Sequence, residues 1–357
     1  MGSRAVEALA AHEDVDLITV ADRDEEAARE LARRLCAQGA RVEALPLDAA
    51  DHSAVVRAMS RHRVAASALG PFYRFEDGMV AAALEAGAHY ASICDEWQPT
   101  EQVLDAYSGP ARDRGIFVVL GLGASPGITN LGIRHLADTM DQLLSVEVSV
   151  FLPPDVGGGP AVMEHLCHIV SGDVPGWRGG RRVDLKACTD RRWVVFPRVG
   201  ALPVWNMGHP EPLTAPRFIP GLEQVSFRMG FGPGTGLLAA AARVGALSGR
   251  SPLPRLLSRF SSSGAGSGSA GAVRLDARGV HNGRPARRLL CGVAHMREAT
   301  GLSLAAGTLA LLRGELTART PGVYPPEACI SPEPFFRALA GDGLRLYDHL
   351  DMSRPLW

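Results

Sequence analysis

Short apolar runs alternate with amphipathic segments through the first 140 residues, and this rhythm constrains the fold more than any other feature. Residues 17–21, 42–47 and 64–69 predict strands that are buried on both faces. Further strands are predicted at 89–94 and 116–122, with helices between them. Buried strands separated by helices form a doubly wound parallel sheet, so we predict an α/β fold of Rossmann type.

The pattern changes after about residue 143. Val146, Val148 and Val150 alternate with polar residues, and strand-like runs recur at 192–196 and 225–229 and within 273–294. This predicts a second α+β domain with a mixed sheet. We expect residues 1–140, together with about 297–357, to form the dinucleotide-binding domain, and 141–296 to form a substrate or dimerisation domain. The Ser/Gly/Ala run at 261–269 predicts a flexible surface loop.

The composition excludes several classes of function. The chain is 46% apolar and 21% charged with a net charge of -1, so nothing predicts a nucleic-acid partner. Apolar runs are far shorter than the roughly 20 residues needed to cross a bilayer, so we expect no membrane span. The six cysteines form no C-x-x-C pair, which favours reduced thiols and a cytoplasmic protein. His165 and His168 could share a helix face, but no second cluster completes a site, so no metal is predicted.

The opening of the sequence falls inside a nucleotide-binding unit. Such a unit begins with a strand, a G-x-G-x-x-G turn and a helix, and an acidic residue follows about 20 positions later. Here residues 1–10 already predict a helix, and Asp22 lies 20 residues after Gly2. Gly2 therefore matches the third glycine of the turn, with Ser3 beside it. The first strand and two glycines are absent from this sequence, so we predict a sheet without its first strand.

Two explanations of this opening stay open. Either the natural chain starts further upstream, or the protein is short and has lost the phosphate-binding turn. The first explanation is favoured, because loss of a central strand would expose backbone donors. In both cases we expect this polypeptide to bind its cofactor poorly and to be inactive for that reason.

Polar and glycine-rich segments follow the predicted strands and predict a cofactor site. Because the carboxyl ends of parallel strands share one edge, Asp22 and Arg23 are expected at the adenosine ribose and Asp48 at the adenine. At the turn 121–130, Ser125 is expected to cap a helix whose first residue is Pro126. The predicted cofactor-binding residues are Gly2, Ser3, Asp22, Arg23, Asp48, Gly70, Pro71, Phe72, Cys94, Gly123, Pro126 and Gly127.

Three runs of sequence carry a family resemblance. Residues 68–75, 85–97 and 121–130 resemble the saccharopine dehydrogenase family of NAD(P)-dependent reductases, and 299–301 with 322–327 resemble its closing segment, which returns to the nucleotide domain. The resemblance implies two domains, a site between them, and NAD or NADP as cofactor. It also implies hydride transfer to or from the carbon–nitrogen bond of an imine or secondary amine. Lysine-pathway members have aspartate where this chain has Ser125, so the substrate need not be saccharopine.

The candidate catalytic residues are Tyr73 and Asp95, either of which could supply the proton to nitrogen. The predicted substrate-binding residues are Asn130, His209, Glu211 and Arg217; in the last three we see a loop able to recognise a carboxylate.

We therefore predict an oxidoreductase with a small-molecule substrate, and the sequence is compatible with a homodimer. One alternative is a non-catalytic protein that senses a nucleotide or acts as a scaffold on the same fold. Another is a biosynthetic reductase of a C=C or C=O bond.

Overall fold

The computed structural model describes residues 1–153, 160–232, 235–243 and 269–357. The predicted loop at 261–269 lies outside these residues, except for Ser269. The helices are α1 (Gly2–Ala10), α2 (Glu25–Cys36), α3 (His52–Met59), α4 (Phe72–Ala86), α5 (Trp97–Asp113), α6 (Ile128–Asp138), α7 (Pro160–Ile169), α8 (Glu211–Phe218), α9 (Thr235–Arg243), α10 (Met296–Arg313), α11 (Pro326–Cys329) and α12 (Pro332–Gly341). The strands are β1 (Ile18–Asp22), β2 (Val42–Pro46), β3 (Val64–Ser67), β4 (His89–Ser92), β5 (Phe117–Val119), β6 (Gln142–Phe151), β7 (Asp173–Arg178), β8 (Arg181–Lys186), β9 (Arg191–Phe196), β10 (Gly200–Asn206), β11 (Gln224–Gly230), β12 (Gly271–His281), β13 (Arg284–Ala294) and β14 (Gly322–Tyr324).

The N-terminal strands are all parallel but form two separate groups. One group is the pair β1–β2, and the other has the order β14-β5-β4-β3. No strand of the described residues lies between the two groups, which confirms the predicted Rossmann-type sheet without its first strand. A side-chain hydrogen bond of 2.8 Å between His62 Nε2 and Thr19 Oγ1 links the two groups. A Cβ atom added to Gly2 would lie 3.4 Å from that of Ala68, so α1 begins beside the carboxyl end of β3.

Local capping sets the helices of this layer. The Asp24 side chain accepts a hydrogen bond from Ala27 N at the start of α2, and Asp51 accepts one from Ala54 N at the start of α3. Helix α4 ends at Gly87, whose φ of 75° is a conformation that glycine adopts without strain. Aspartate before a helix and glycine after it are common at helix ends, so these three helix ends follow from the local sequence.

The second layer is a mixed eight-stranded sheet, as predicted. Its main path has the order β13-β12-β6-β11-β10-β9, and the hairpin β7–β8 branches from β11. Strands β6 and β11 are parallel and the other pairs are antiparallel. Val146, Val148 and Val150 are buried on the face of β6 that the alternation indicated. Helix α6 packs on this sheet through Gly132, which lies against Leu275 and Leu290.

The C-terminal part of the chain returns to the parallel layer. Strand β14 pairs with β5 in parallel, with Val323 opposite Val118. Helix α10 packs against α1 and contacts β3 and β4. The resemblance had implied such a closing segment. Within the described residues, no helix combines the length and the apolar character that crossing a membrane requires.

The turn before α6 differs from the prediction. Helix α6 begins at Ile128 after Gly127, so the predicted Ser125 cap and Pro126 first position are wrong. The reason is a tight reversal in which Gly123 N donates to Pro126 O at 2.9 Å and Ile128 N donates to Gly123 O at 3.1 Å. Gly127 makes the reversal with φ of 115°, and its N–H donates to Asn130 Oδ1.

Replacing Gly127 by alanine should destabilise the protein severely. The new Cβ would overlap Gly123 O, and the backbone conformation is one that residues with a side chain rarely adopt. We expect G127A to lower the free energy of unfolding by at least about 3 kcal/mol in urea denaturation. Gly109 in α5 has open space around it, so G109A is the control and should be neutral or stabilising by up to about 1 kcal/mol. Equal effects of the two substitutions would contradict this description of the turn.

Candidate functional site

The segments that follow β3, β4 and β5 meet at one edge of the parallel sheet. Ile93 N donates to Ser67 O at 3.2 Å, and Leu122 N donates to Ser92 O at 2.7 Å, which continues the ladder beyond the strands. A Cβ on Gly121 would lie 3.3 Å from Cys94 O, so these two segments are in contact. In open α/β sheets, ligands bind outside the carboxyl ends of the strands.

Side chains from the second layer reach the same edge. His165, on α7, places Nε2 3.3 Å from Asp95 Oδ2 and Nδ1 3.4 Å from Glu96 Oε1. The three side chains offer metal-ligand atoms within 4.8 Å of one another. However, both ring nitrogens already face a carboxylate, and a histidine held between two carboxylates accounts for this geometry without an ion. We call these three residues the Asp95–His165 cluster.

The electrostatics of the cluster favour a bound proton. Burial acts against the charged imidazole, but the carboxylates of Asp95 and Glu96 outweigh it and raise the pKa of His165. Burial also raises the pKa of Asp95, in spite of the nearby His165 and His209. Both shifts keep a proton on the Asp95–His165 pair, which is the requirement for a general acid at this position.

Glu96 connects His165 to the first turn of α4. Its side chain is fully buried, and Oε2 accepts a hydrogen bond of 2.6 Å from Tyr73 N in the first turn of α4. The Tyr73 side chain is half exposed, and its ring centre lies 5.4 Å from that of His168. His168 in turn hydrogen-bonds Gln98 Oε1 through Nε2 at 2.8 Å. Tyr73 therefore lies at the mouth of the site, in contact with Glu96 and His168.

A second buried carboxylate joins the two layers. Glu211, at the start of α8, accepts hydrogen bonds from Ser125 Oγ at 2.8 Å and Thr129 Oγ1 at 2.7 Å. Its other oxygen lies 2.5 Å from His209 Nδ1. The His209 ring is stacked on Phe227 at 3.9 Å. Burial opposes the charge, but His209, Thr129 and Ser125 together hold the pKa of Glu211 below its usual value.

Removing one donor to Glu211 should produce a loss of stability that depends on pH. A carboxyl with a lowered pKa stabilises the fold above its unfolded value of 4.5, and this contribution is lost as the pH falls through the lower folded pKa. We expect T129V to reduce the free energy of unfolding by about 1–3 kcal/mol at pH 7, and the deficit to shrink below pH 4.5. Denaturation curves across this pH range measure both effects.

The control for this experiment is T139V, because Thr139 bonds only to backbone carbonyls at the end of the same helix. It should change stability by less than about 0.5 kcal/mol at every pH. A T129V deficit that does not vary with pH would show that the hydrogen bond does not act through the Glu211 charge.

Glu76 lies beneath the site as a third buried acid. Its oxygens are 2.5 Å from Ser92 Oγ and 3.3 Å from Tyr90 Oη, and burial raises its pKa to about 7. Burial likewise raises the pKa of Glu327, which is fully enclosed near Asn130 and Thr214, to about 7. At pH 7 each of these two carboxyls is therefore about half protonated, whereas Glu211 is ionised.

The raised pKa of Glu76 makes the fold less stable as the pH increases. Its contribution is complete below the unfolded value of 4.5 and is lost as the pH rises through the folded value of about 7. This shift corresponds to about 3 kcal/mol between pH 4.5 and pH 8. E76Q cannot ionise, so its free energy of unfolding should fall by about 3 kcal/mol less than that of the parent over this range.

E85Q is the matched control on the same helix, because the Glu85 side chain is exposed and pairs only with His52. Its unfolding free energy should follow the parent at each pH. If E76Q also followed the parent, Glu76 would be ionised in the folded protein.

Several predicted cofactor residues lie at the expected edge. Asp22 ends β1 and is exposed, and its Oδ1 accepts a hydrogen bond from Asp24 N. Arg23 beside it is also exposed. Asp48 accepts a hydrogen bond from Ala50 N, as expected for a residue that caps a turn. Ser3 accepts a bond from Arg297 at the start of α1. The exposed Asp22 carboxylate at the end of β1 is free of ion pairs with the described residues, as the predicted ribose-binding role requires, and that role stays a prediction.

Other predicted residues have different surroundings. Arg217 is half exposed and donates to Asp105 at 2.7 Å, so it is not part of the buried cluster. Asn130 is fully buried, and its amide bonds Gly127 N and Thr214 Oγ1 within the protein. Cys94 is fully buried, and burial raises the pKa of its thiol well above the ordinary value. Cys94 is thus a packed side chain of the edge and not a nucleophile.

The sequence placed Glu96 beside Asp95 as a group that could bind an ammonium or take part in proton transfer, but it did not predict that His165 contacts both, nor the donors to Glu211. The paired histidines at 165 and 168 were the available signal, because they mark one helix face. The carboxylates that complete the cluster, Asp95 and Glu96, are about 70 positions from His165 in sequence.

Comparison with known proteins identifies the nucleotide layer. Residues 1–113 match the sequence profile of the saccharopine dehydrogenase NADP binding domain. Over these residues the chain is similar to that NADP binding domain. NADP as its cofactor agrees with the predicted NAD or NADP, and the resemblance found in the sequence is confirmed.

Two further relatives extend the comparison. The fold is similar to that of an apo saccharopine dehydrogenase (L-Glu forming) from Saccharomyces cerevisiae, with a TM-score of 0.65, 15% identity and coverage of 97% of both chains. A lipid droplet localized protein from Caenorhabditis elegans is 27% identical over 121 residues. That match takes in 33% of this chain and 28% of the length of the relative.

Proposed function

We propose that this protein is an NAD(P)-dependent oxidoreductase that acts on a carbon–nitrogen bond, reducing an imine or oxidising a secondary amine. One observation carries the proposal: Asp95, Glu96 and His165 contact one another at the carboxyl edge of a sheet whose sequence matches an NADP binding domain. The bound cofactor would supply or accept the hydride at that edge. The protein must then bind the substrate, orient it and move one proton to or from its nitrogen.

The protein groups divide this work between the layers. Asp95 and His165 lie within reach of a substrate nitrogen at the edge, and His165 carries the proton to be donated. Glu96 orients His165 by facing its other ring nitrogen, in the way that a carboxylate fixes a catalytic imidazole. Tyr73, half exposed at the mouth, is the second candidate donor. The pair of Glu211 and His209 holds the segment that leads into α8 against the turn at Ser125.

A second candidate function is a non-catalytic protein that senses a nucleotide on the same fold. The observation that favours it is the gap between β1 and β3, where a Rossmann sheet has the strand that leads into its phosphate-binding turn. Calorimetric titration with NADPH tests how far the gap matters. Dissociation constants well above the low micromolar range are expected for this polypeptide, so activity must be assayed at millimolar cofactor.

Substitution of Asp95 tests the proposed enzyme. With NADP⁺ or NAD⁺ and a panel of secondary amines, the parent should produce reduced nicotinamide that is followed by its absorbance. D95N should lower kcat by about 10²–10⁴-fold, the range for loss of a positioned acid or base, and should flatten the dependence of kcat on pH. E85Q, on the exposed face of α4, should keep the parent rate.

The outcomes separate the two candidates. A parent that binds NADPH but turns over no amine or imine with either cofactor supports the nucleotide sensor and overturns the enzyme. Turnover that D95N leaves unchanged would remove Asp95 from the proton path and leave Tyr73 as the donor.

A further inference from the structure

A second charged region lies on the outer face of the mixed sheet, away from the parallel layer. Along β6, Val148 is buried on the face that packs against α6, and Glu147 next to it points to the opposite face. Along β11, Phe227 stacks on His209 of the candidate site, whereas Arg228 next to it points away from that site. The thickness of the sheet therefore separates this region from the candidate site.

Charged side chains on this face form a series of alternating sign, which we call the Arg228 network. Its members are Arg178, Asp190, Arg228, Glu147 and Arg192. Arg228, whose side chain is only 1% exposed, donates to Asp190 Oδ2 at 2.6 Å and lies 3.1 Å from Glu147 Oε2. The two outer arginines are about half exposed and approach the same two oxygens. Arg178 Nη2 lies 3.6 Å from Asp190 Oδ2, and Arg192 Nη1 donates to Glu147 Oε2 at 2.7 Å.

The Arg228 network has one positive charge in excess, because it contains three arginines and two carboxylates. The next acid along the sheet does not offset it, because Asp276, opposite Glu147 on β12, already pairs with Arg274. Burial opposes the charge of Asp190, but the three arginines together hold its pKa below the usual value. Nε of Arg228 is a buried donor without a hydrogen-bond partner in the described part of the chain, and such a donor is costly. The network is therefore short of anionic acceptors.

A cavity of about 510 Å³ opens beside the network, within the size range of small-molecule sites. Its polar lining consists of Arg178, Thr189, Asp190, Arg192, Asn206 and Gln224. Asn206 fixes one wall, because its Oδ1 accepts hydrogen bonds from Thr189 N at 3.0 Å and from Asp190 N at 2.8 Å. Arg228 lies behind this wall, since it is opposite Asn206 in the ladder between β10 and β11. The charged groups are therefore held in place around one cavity.

We propose that this cavity binds a small organic anion with one carboxylate group, which accepts N–H donors from Arg178 and Arg192, and with a hydroxyl that donates to Asp190. A planar carboxylate matches the guanidinium fork, and its single charge balances the network. A phosphate monoester, with a charge of about −1.5 to −2 at pH 7, would exceed that balance. Both arginine contacts of Asp190 fall on Oδ2, so Oδ1 is the acceptor for the hydroxyl. This site is distinct from that of the proposed oxidoreductase and does not depend on its activity.

Three probes with the same three-carbon skeleton test the site, namely glycerate, glycerol 3-phosphate and glycerol. Binding of each probe to the full chain is measured by calorimetry at about pH 7 and about 0.15 M NaCl, where loosely held counter-ions are screened. We expect glycerate to bind with a dissociation constant in the millimolar range or below. It should bind at least about threefold more tightly than glycerol 3-phosphate, and glycerol should give no binding signal. Tighter binding of glycerol 3-phosphate would overturn the assignment of a carboxylate.

Substitution of the outer arginines locates the bound anion. R178Q removes a guanidinium whose contact among the described residues is the 3.6 Å ion pair with Asp190, so the variant should fold like the parent. R178Q and R192Q should each weaken glycerate binding at least about tenfold. R337Q is the control of equal charge, because Arg337 is exposed and pairs with Glu333 on α12, and it should leave the affinity unchanged.

The results on these variants decide whether the cavity is the site. Equal weakening by R178Q and R337Q would show that binding follows the net charge of the protein, and it would overturn the proposal. The proposal also fails if glycerate does not bind the parent at millimolar concentration, or if R178Q and R192Q both bind it as tightly as the parent does.

Discussion

A carboxylate enclosed between two layers of structure needs hydrogen-bond donors from its surroundings, and Glu211 obtains them from both sides. Ser125 and Thr129 belong to the turn and helix after the parallel sheet, while His209 precedes α8. Removing any of them leaves a charge without water or a full set of partners. This anion, together with the hydrogen bond from Asn130 to Thr214, therefore holds the turn and α6 in position against α8.

The buried acids of this protein differ in their surroundings more than in their chemistry. Glu211 has three donors and keeps its charge. Glu76 has two hydroxyl neighbours and lies beside other carboxylates, and its pKa is raised to about 7. Asp95 and His165 share a proton at the opening. Pairs of titratable groups whose environments move their pKa values apart are typical of acid–base catalysis. The same sheet edge can thus hold both a fixed charge and a transferable proton.

Much of the fold could be predicted because its signals are local. Asp24 and Asp51 cap the helices that they precede, and the buried strands follow apolar runs. The edge of the parallel sheet followed from where those runs end. Two predictions failed for different reasons. The turn at Ser125 is local, but its reversal depends on the backbone bonds of Gly123 to Pro126 and Ile128, which the capping pattern does not show. The contact of His165 with Glu96 joins residues far apart in sequence and from different layers. Arginine is a plausible residue for binding a substrate carboxylate, but Arg217 forms an ion pair with Asp105, an exposed residue of α5.

The division of the parallel strands into two groups affects how the molecule opens. A continuous sheet holds its strands together by backbone hydrogen bonds, whereas β1 and β2 are linked to the segment before β3 by side chains, through the Thr19–His62 hydrogen bond and the Glu43–Arg61 ion pair. Because no backbone ladder crosses between the two groups, we expect β1 and β2 to open locally more readily than the strands around β4. Amide hydrogens in β1 and β2 will exchange with solvent sooner than those in β4 and β5, and a nucleotide lying across both groups would slow that exchange.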